Sequence, residues 1–396
     1  MGTPLPGVGA RIRRYRRMTG RSQAVVAGLC GVTERYLSLI ENGHRTPSPD
    51  LLVQLAEELA VSVAALLSDE APRSRPTTLT ADRDVVRALL GGATGGRVRS
   101  PGELRDRVES AWRIWQSSAA RFTEAEPLLG GLVLDVEATV RGTGDAADRR
   151  EVLRSAADLY GLLRSYCRRA GRLDLALLVA DRSRRAAEDA DDPIRMAAAA
   201  WNFGHCLLSQ EDGAAAAAEV AREGVRALDG APSGAERTAM VGALELVHVT
   251  ADAQQRRWWE ARARLEDRVF RLAGAVGEGN VMRTVFGPTN AYLHALSLEI
   301  LAGEGSRGLR LADKVHVSAL PSRERQFTFV LDMARGYHLR REDAAVLVHL
   351  LELERISPED MVRSAPATTV VTGLLDRARP TYRPQVEALA QRLGVI

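Results

Sequence analysis

The chain has 396 residues, 45% of them apolar, which is enough for a sizeable core and for two or three domains, and its formal net charge is only +3. Its N-terminus lacks the apolar stretch of a secretory signal, and no run of about 18 uncharged apolar residues occurs, so a cytoplasmic protein with no membrane partner is expected. Three cysteines, Cys30, Cys167 and Cys206, are odd in number and widely spaced, which suits reduced thiols rather than a disulfide framework.

Charge is unevenly placed along the chain. Residues 1–68 hold eight arginines against five acids, while the remaining 46 basic and 46 acidic residues cancel. A small cationic head on a neutral body is the asymmetry of a nucleic-acid-binding protein. Apolar residues recur at i, i+3 and i+4 almost throughout, and nothing alternates with a period of two. The fold class expected is all-α.

The first domain, 1–68, carries a helix-turn-helix pattern from Gln23 to Asn42. Val26 and Cys30 face inward from its first helix, and Ala27 is small because two helices cross there. Gly31 supplies a positive φ at the sharp turn. Thr33 can cap the second helix, with Val32 closing the core and Leu37 and Ile40 anchored inward. The opposite stripe is Thr33, Glu34, Arg35, Ser38 and Leu39, which can reach base edges in the major groove of double-stranded DNA.

Several runs within about residues 8–68 resemble the Cro/C1-type, or Xre, family. They are Ile12-Arg13-Arg14-Tyr15-Arg16, Tyr36 through Gly43, Arg45-Thr46-Pro47-Ser48, Leu51-Leu52 and Ala60-Val61-Ser62. The resemblance implies a five-helix, lambda-repressor-like domain in which Arg16 pairs with Glu41. It also implies that Gln23, Asn42, Arg45 and Ser48 face DNA phosphates. Arg21 stands where that family usually has an apolar residue. Leu39 replaces a polar base reader, leaving a thymine methyl as its natural contact. A motif folded this way could instead bind protein, with Arg11, Arg13, Arg14, Arg16 and Arg17 only a solvated face.

Acids, prolines and a glycine-rich run from Gly91 to Gly96 interrupt the pattern over 69–100, a linker with a short helix expected at 81–90. From 101 to 396, helices follow one another across short turns, and a spacing repeats. Gly171 precedes Ala176 by five residues, as Gly213 precedes Ala218 and Gly303 precedes Gly308. Arg256 with Ala261 and Arg340 with Ala345 fit the same slots. This resembles the tetratricopeptide repeat at a period longer than the usual ~34 residues. What it implies is a TPR-like α-solenoid, with a concave surface for binding. An irregular helical bundle with the same spacing is the alternative.

No G-x-x-x-x-G-K-[ST], H-E-x-x-H or C-x-x-C occurs, so no enzyme, cofactor or metal site is expected. His205 and Cys206 are adjacent and would point about 100° apart on a helix, which is poor geometry for one metal. Trp112 and Trp115 read as core, while Trp258 and Trp259 point to different sides. Asn202 and Asn290 lie within otherwise apolar helices, where each is either a satisfied interhelical hydrogen bond or a carboxamide facing a ligand. His294 follows Asn290 one turn later on the same face, so Asn290, His294 and Asn202 are the candidate ligand residues.

An Xre head on a helical-repeat body resembles the peptide-sensing quorum regulators. Phe286-Gly287-Pro288-Thr289-Asn290 resembles a group of actinobacterial regulators. Both imply a sequence-specific regulator that is a homodimer on an inverted-repeat operator, and whose repeat domain binds a small-molecule or peptide ligand that alters DNA affinity. The competing function is a protein–protein scaffold recruited to DNA through its head.

Overall fold

Helices α1 (Val8–Met18), α2 (Gln23–Leu29), α3 (Glu34–Glu41), α4 (Pro49–Glu58) and α5 (Val63–Leu67) form the head in the computed structural model. The structure describes residues 7–18, 21–59, 61, 63–67, 83–91 and 95–396. Ala60, Ser62, the stretch 68–82 and Gly92-Ala93-Thr94 of the expected linker lie outside the described residues. The chain divides into two compact units, Met1–Thr78 and Leu79–Val395.

Local chemistry sets the head's helix starts. The hydroxyls of Ser22, Thr33 and Ser48 accept from the amides of Val25, Tyr36 and Leu51 at 3.2, 3.1 and 3.3 Å. Each satisfies a donor that the first helical turn leaves open. Gly31 takes the left-handed conformation at φ +65°, as expected for the sharp turn. Ile12, Val26, Leu37, Ile40, Leu55 and Leu66 are fully buried and close one core. α1 crosses α3 at Gly9, where a Cβ would lie only 1.8 Å from the Ile40 carbonyl oxygen. Only glycine fits there.

The body opens with α6 (Arg83–Leu90), which realises the short helix expected at 81–90. Its Val85, Ala88 and Leu89 are buried in the core shared by α7 (Pro101–Ser117) and α8 (Arg121–Gly142). Antiparallel pairs then follow: α9 (Ala146–Arg169) with α10 (Leu173–Asp189), and α11 (Pro193–Leu207) with α12 (Ala214–Ala227). α13 (Ala235–Gln254) pairs with α14 (Trp258–Arg264), which continues through a π-turn at Leu265–Val269 into α15 (Phe270–Val276). α16 (Pro288–Leu301) pairs with α17 (Gly305–Ala312), and α18 (Arg323–Leu339) with α19 (Asp343–Ile356). The chain ends in α20 (Pro358–Arg363), α21 (Ala365–Leu375) and α22 (Arg383–Arg392). This is the expected all-α, TPR-like stack of hairpins. Among the described residues no helix is long and apolar enough to cross a membrane.

The repeat slots hold, with two changes of register. Gly171, Arg256 and Gly303 adopt φ of +73°, +59° and +84°, each two residues before the second helix of its hairpin. At the last hairpin Arg341, not Arg340, takes this role at φ +60°. The packed residue there is accordingly Val346, which is fully buried, and Ala345 is only half-buried. Gly213 stays at φ −78° and begins its helix directly, which moves the fully buried slot from Ala218 to Ala217.

The last hairpins fold back onto the first. α8 has no capping side chain of its own, and the Glu359 carboxylate instead accepts from the amides of Phe122 at 2.8 Å and Thr123 at 3.2 Å. Arg323 donates to the Ser117 carbonyl at 2.6 Å and to the Ile356 carbonyl at 3.1 Å. The fully buried Arg121 pairs with Asp360.

Candidate functional site

In the head, the inward anchors leave Thr33, Glu34 and Arg35 exposed and Ser38 and Leu39 half-buried along the outer side of α3. Arg35 makes no hydrogen bond or ion pair among the described residues, so its five N–H donors are available to a partner. Thr33 also caps α3, so its hydroxyl is already engaged. The carbonyl of Leu39 accepts from the amides of His44 and Arg45 at 2.9 and 3.2 Å. Those bonds fix the turn that presents the exposed Arg45 side chain.

Glu41 holds this arrangement together. Its carboxylate is buried and receives both arms of Arg16, at 2.6 and 2.9 Å. The Gln23 amide donates to it at 2.7 Å, and Arg13 lies 3.5 Å away. Burial alone would raise the Glu41 pKa. The hydrogen bonds from Arg16 and Gln23, with the charges of Arg16 and Arg13, outweigh it and hold the group below the ordinary glutamate range.

Of the four residues expected at phosphates, Gln23 has one amide hydrogen committed to Glu41. Asn42 donates to the Ser38 carbonyl at 2.8 Å and accepts from Arg13. Ser48 caps α4, and Arg45 is exposed. Arg21, unusual in sequence, reaches the end of α4 and donates to the Glu58 carbonyl at 2.8 Å. Arg11 does the same for α5 at the Leu66 carbonyl, 2.8 Å.

In the body, α7, α9, α11 and α18 surround a cavity of about 240 Å³. Arg121, Arg164, Arg168, Arg169, Arg283 and Arg325 stand in its wall, with Glu324 as the acid that lines it. Tryptophans hold several of these guanidiniums: Arg121 lies 4.4 Å over Trp115, Arg164 lies 5.4 Å over Trp201, and Arg283 lies 5.4 Å over Trp112. The rings are themselves fixed. Trp115 donates to the Ser165 hydroxyl at 3.1 Å and Trp112 to the Asp158 carbonyl at 2.9 Å. Trp112 and Trp115 are therefore core residues, as expected, and cavity wall as well.

Burial pushes the guanidinium pKa of Arg164 and Arg325 down. Burial and the neighbouring Arg169 push Arg168 down to about 9. For Glu324 burial acts upward, but Arg169, Arg121, Arg325 and Arg168 together hold it well below the usual carboxylate range.

A second, more apolar cavity of about 170 Å³ shares His205, Arg325 and Thr328 with the first and also contains His294. Burial, reinforced by Arg325, lowers the His294 pKa to about 3. Burial and Arg164 likewise hold His205 well below its ordinary value. Both imidazoles are neutral at pH 7.

The three expected ligand residues separate. His294 lines the second cavity. Asn202 accepts from Arg164 through its carboxamide oxygen, at 2.9 Å from Nε, so it orients an arginine instead of opening onto the larger cavity. Asn290 is 1% exposed and stands in the wall of neither cavity, and its Oδ1 finds no hydrogen-bond partner among the described residues. The motif around it is a packing device. Phe286 fills a notch at Gly242, where a Cβ would come within 1.9 Å of the ring, and the Glu278 carboxylate accepts from the Thr289 amide at 2.9 Å.

The loop before that motif is strained. Met282, Arg283 and Val285 all have positive φ, at 47°, 61° and 55°, and Arg283 and Val285 line the larger cavity. Non-glycine residues in this region cost about 1–3 kcal/mol each, and such strain concentrates at ligand clamps. Sequence reasoning missed the arginine cluster. Its trace is Arg164 with Arg168 and Trp201 with His205, each an i, i+4 pair inside a mainly apolar helix.

The Helix-turn-helix family matches residues 12–66. The chain is 39% identical over 67 residues to the uncharacterized HTH-type transcriptional regulator y4dJ of Sinorhizobium fredii, covering 16% of this chain and 87% of that one. It is 38% identical over 65 residues to the propionyl-CoA carboxylase regulator of Cereibacter sphaeroides, covering 16% of this chain but only 14% of that protein's length. Solved structures that align with it include Bacillus thuringiensis PlcR in complex with the peptide PapR7 and DNA. That alignment has 12% identity, 86% and 99% coverage of the two chains and a TM-score of 0.31. Apo ComR from S. thermophilus aligns with 13% identity, 94% and 100% coverage and a TM-score of 0.30. On the match to its N-terminal unit, the chain belongs to the Xre-type helix-turn-helix transcriptional regulators.

Proposed function

We propose that the protein is a sequence-specific transcriptional regulator whose helical-repeat body binds a small ligand and thereby changes the affinity of the head for DNA. The observation that carries this is the polar-walled cavity in the same chain as a helix-turn-helix head with an outward stripe along α3. A ligand can alter DNA binding only by preferring one arrangement of the protein, and the fold-back of the last hairpins onto the first supplies an element with something to shift. Thr33, Glu34, Arg35, Ser38 and Leu39 are the proposed base contacts, and Gln23, Asn42, Arg45 and Ser48 the proposed phosphate contacts. His294 remains the proposed ligand contact from the sequence. We read Asn202 as acting through Arg164, and Asn290, which lines neither cavity, as structural.

One small head offers few contacts, so the proposed DNA-bound species is a homodimer presenting two α3 helices about one helical turn (~34 Å) apart, or a multiple of that, on an inverted repeat. Selection of bound sequences from random duplex DNA tests the reading. The selected site should be palindromic, and light scattering should show a dimer on it. Arg35→Ala should cost ~1–3 kcal/mol on the selected site and relax preference at one base position. Equal losses on selected and random DNA would reject base reading by Arg35. The same selection repeated with cell extract should change affinity, and an unchanged affinity would argue against a sensor.

A further inference from the structure

The cavity in the body has more positive charge than the fold can neutralise. Among the described residues, the carboxylates within ion-pairing reach of its six arginines are Glu324, Asp360 and Glu109. Glu109 pairs with Arg283, and Asp360 is shared by Arg121 and, at 3.5 Å, Arg169. Glu324 is shared by Arg169, Arg121 at 3.5 Å and Arg168 at 3.8 Å. The Arg164 side chain has only the neutral Asn202 as acceptor, and the Arg325 guanidinium has no hydrogen bond or ion pair among the described residues. The Nε atoms of Arg121, Arg168 and Arg169 are buried with no acceptor. Six guanidiniums thus face three carboxylates.

Guanidinium is the side chain least able to shed its proton, so this surplus is not readily removed by deprotonation. Like charges held together away from full hydration are costly; Arg121 and Arg164 are buried, the other four are partly buried, and tryptophan faces hold three of the six in place. An arrangement of this kind suits a ligand that brings the missing negative charge. Guanidinium forks bind carboxylate and phosphate oxygens in a bidentate way, and several converging forks favour an anion with oxygens on more than one side.

We propose that this cavity binds a compact oxyanion carrying two or more negative charges, a phosphoryl or polycarboxylate group, held chiefly by Arg164, Arg168 and Arg325. The anion would share Arg168 with Glu324, and Glu324 also holds Arg121 and Arg169. Occupancy therefore bears directly on the contacts joining the last hairpins to the first. This deepens the sensor reading by naming the ligand's chemistry, and it rests on that reading only for the regulatory consequence.

The test uses the full chain without DNA. Its melting temperature is followed against pyrophosphate, inorganic phosphate and citrate, with sodium chloride at matched ionic strength as the control. A saturable rise with pyrophosphate or citrate beyond that of chloride is expected, and the comparison of these two separates phosphoryl from carboxylate recognition. Arg168→Gln and Arg325→Gln should each weaken the response by about ten-fold or more. Each should also melt higher than the parent without anion, because surplus charge has been removed. Absence of a saturable rise with any of these anions overturns the proposal, as does a variant that responds like the parent or melts lower without anion. Retention of the selected DNA is measured in parallel. An anion that binds but leaves DNA affinity unchanged removes the sensor reading and leaves this site standing. No anion binding, with DNA affinity still responsive to cell extract, does the reverse.

Discussion

In the head, one buried carboxylate, Glu41, is met by two arginines and an amide, and Arg35 and Arg45 lie in water. In the body, six arginines converge on a partly open cavity where carboxylates are too few. The two regions share a composition rich in arginine and differ in where its charge is satisfied. A surface that meets DNA can leave its cations hydrated until the partner arrives, at little cost to the fold. An interior site must hold its charges in place beforehand, and neighbouring elements must hold those charges against their own repulsion. The first kind of site tolerates change at the contact residue, and the second ties contact to architecture.

The comparison can be broken most directly at Glu41. Glu41→Ala would leave Arg16 buried and unpaired and should cost about 3–5 kcal/mol. Hydrogen exchange should show lost protection across residues 8–59 with none lost across 95–396. Loss in both would mean that the two units do not stand apart energetically.

A smaller effect is expected at Gly242→Ala, where the added methyl must displace the Phe286 ring. Overpacking of this kind costs roughly 1–3 kcal/mol. The body's melting transition should fall while DNA affinity of the head stays the same, and reduced DNA affinity at a temperature where the body is folded would contradict the division.

The body should also respond to pH where the head does not. His205 and His294 stay neutral when folded, but once unfolded they take up protons below about pH 6.5. The unfolded chain then binds more protons, so stability is complete above that pH and declines as pH falls toward the folded value near 3 for His294. The slope approaches ~1.4 kcal/mol per pH unit for each group. Melting from pH 7.5 to 5 should show it, and His294→Gln should reduce it by one group's share, leaving the contribution of His205. An unchanged slope in that variant would show that His294 carries no share. Least of all should follow from Trp259→Ala, because that ring is 79% exposed. A change beyond about 0.5 kcal/mol in the isolated protein would contradict its surface placement.

Legibility from the sequence follows the same divide. The head was readable down to single residues where its signals are local: Thr33 caps the helix it precedes and Gly31 sits in the turn it makes possible, while the equally local caps of Ser22 and Ser48 were missed. Arg16 with Glu41 was available only through family resemblance, since 25 residues separate them. The hairpins of the body were visible through their turn residues, and one register slipped by a position because Arg340 and Arg341 are adjacent arginines. The cavity was not visible. Its wall draws on residues from Trp112 to Thr328, and no spacing rule links Arg168 to Arg325. The asparagines are ambiguous for a related reason. A polar residue in an apolar helix announces that it needs a partner, not whether the partner is a ligand, an arginine as at Asn202, or none among the described residues as at Asn290 Oδ1.

The borrowed cap on α8 also orders events in the making of the molecule. Phe122 and Thr123 leave the ribosome long before Glu359, the carboxylate that receives their amides. Each hairpin between can stack on its predecessor as it emerges, since those contacts are close in sequence. The closure cannot, and it waits for the chain to be almost finished. A nascent chain stalled before residue 359 would therefore already hold every residue of the cavity wall, from Trp112 to Thr328, and lack only the Glu359 and Asp360 contacts that tie the end of the chain to the start of α8.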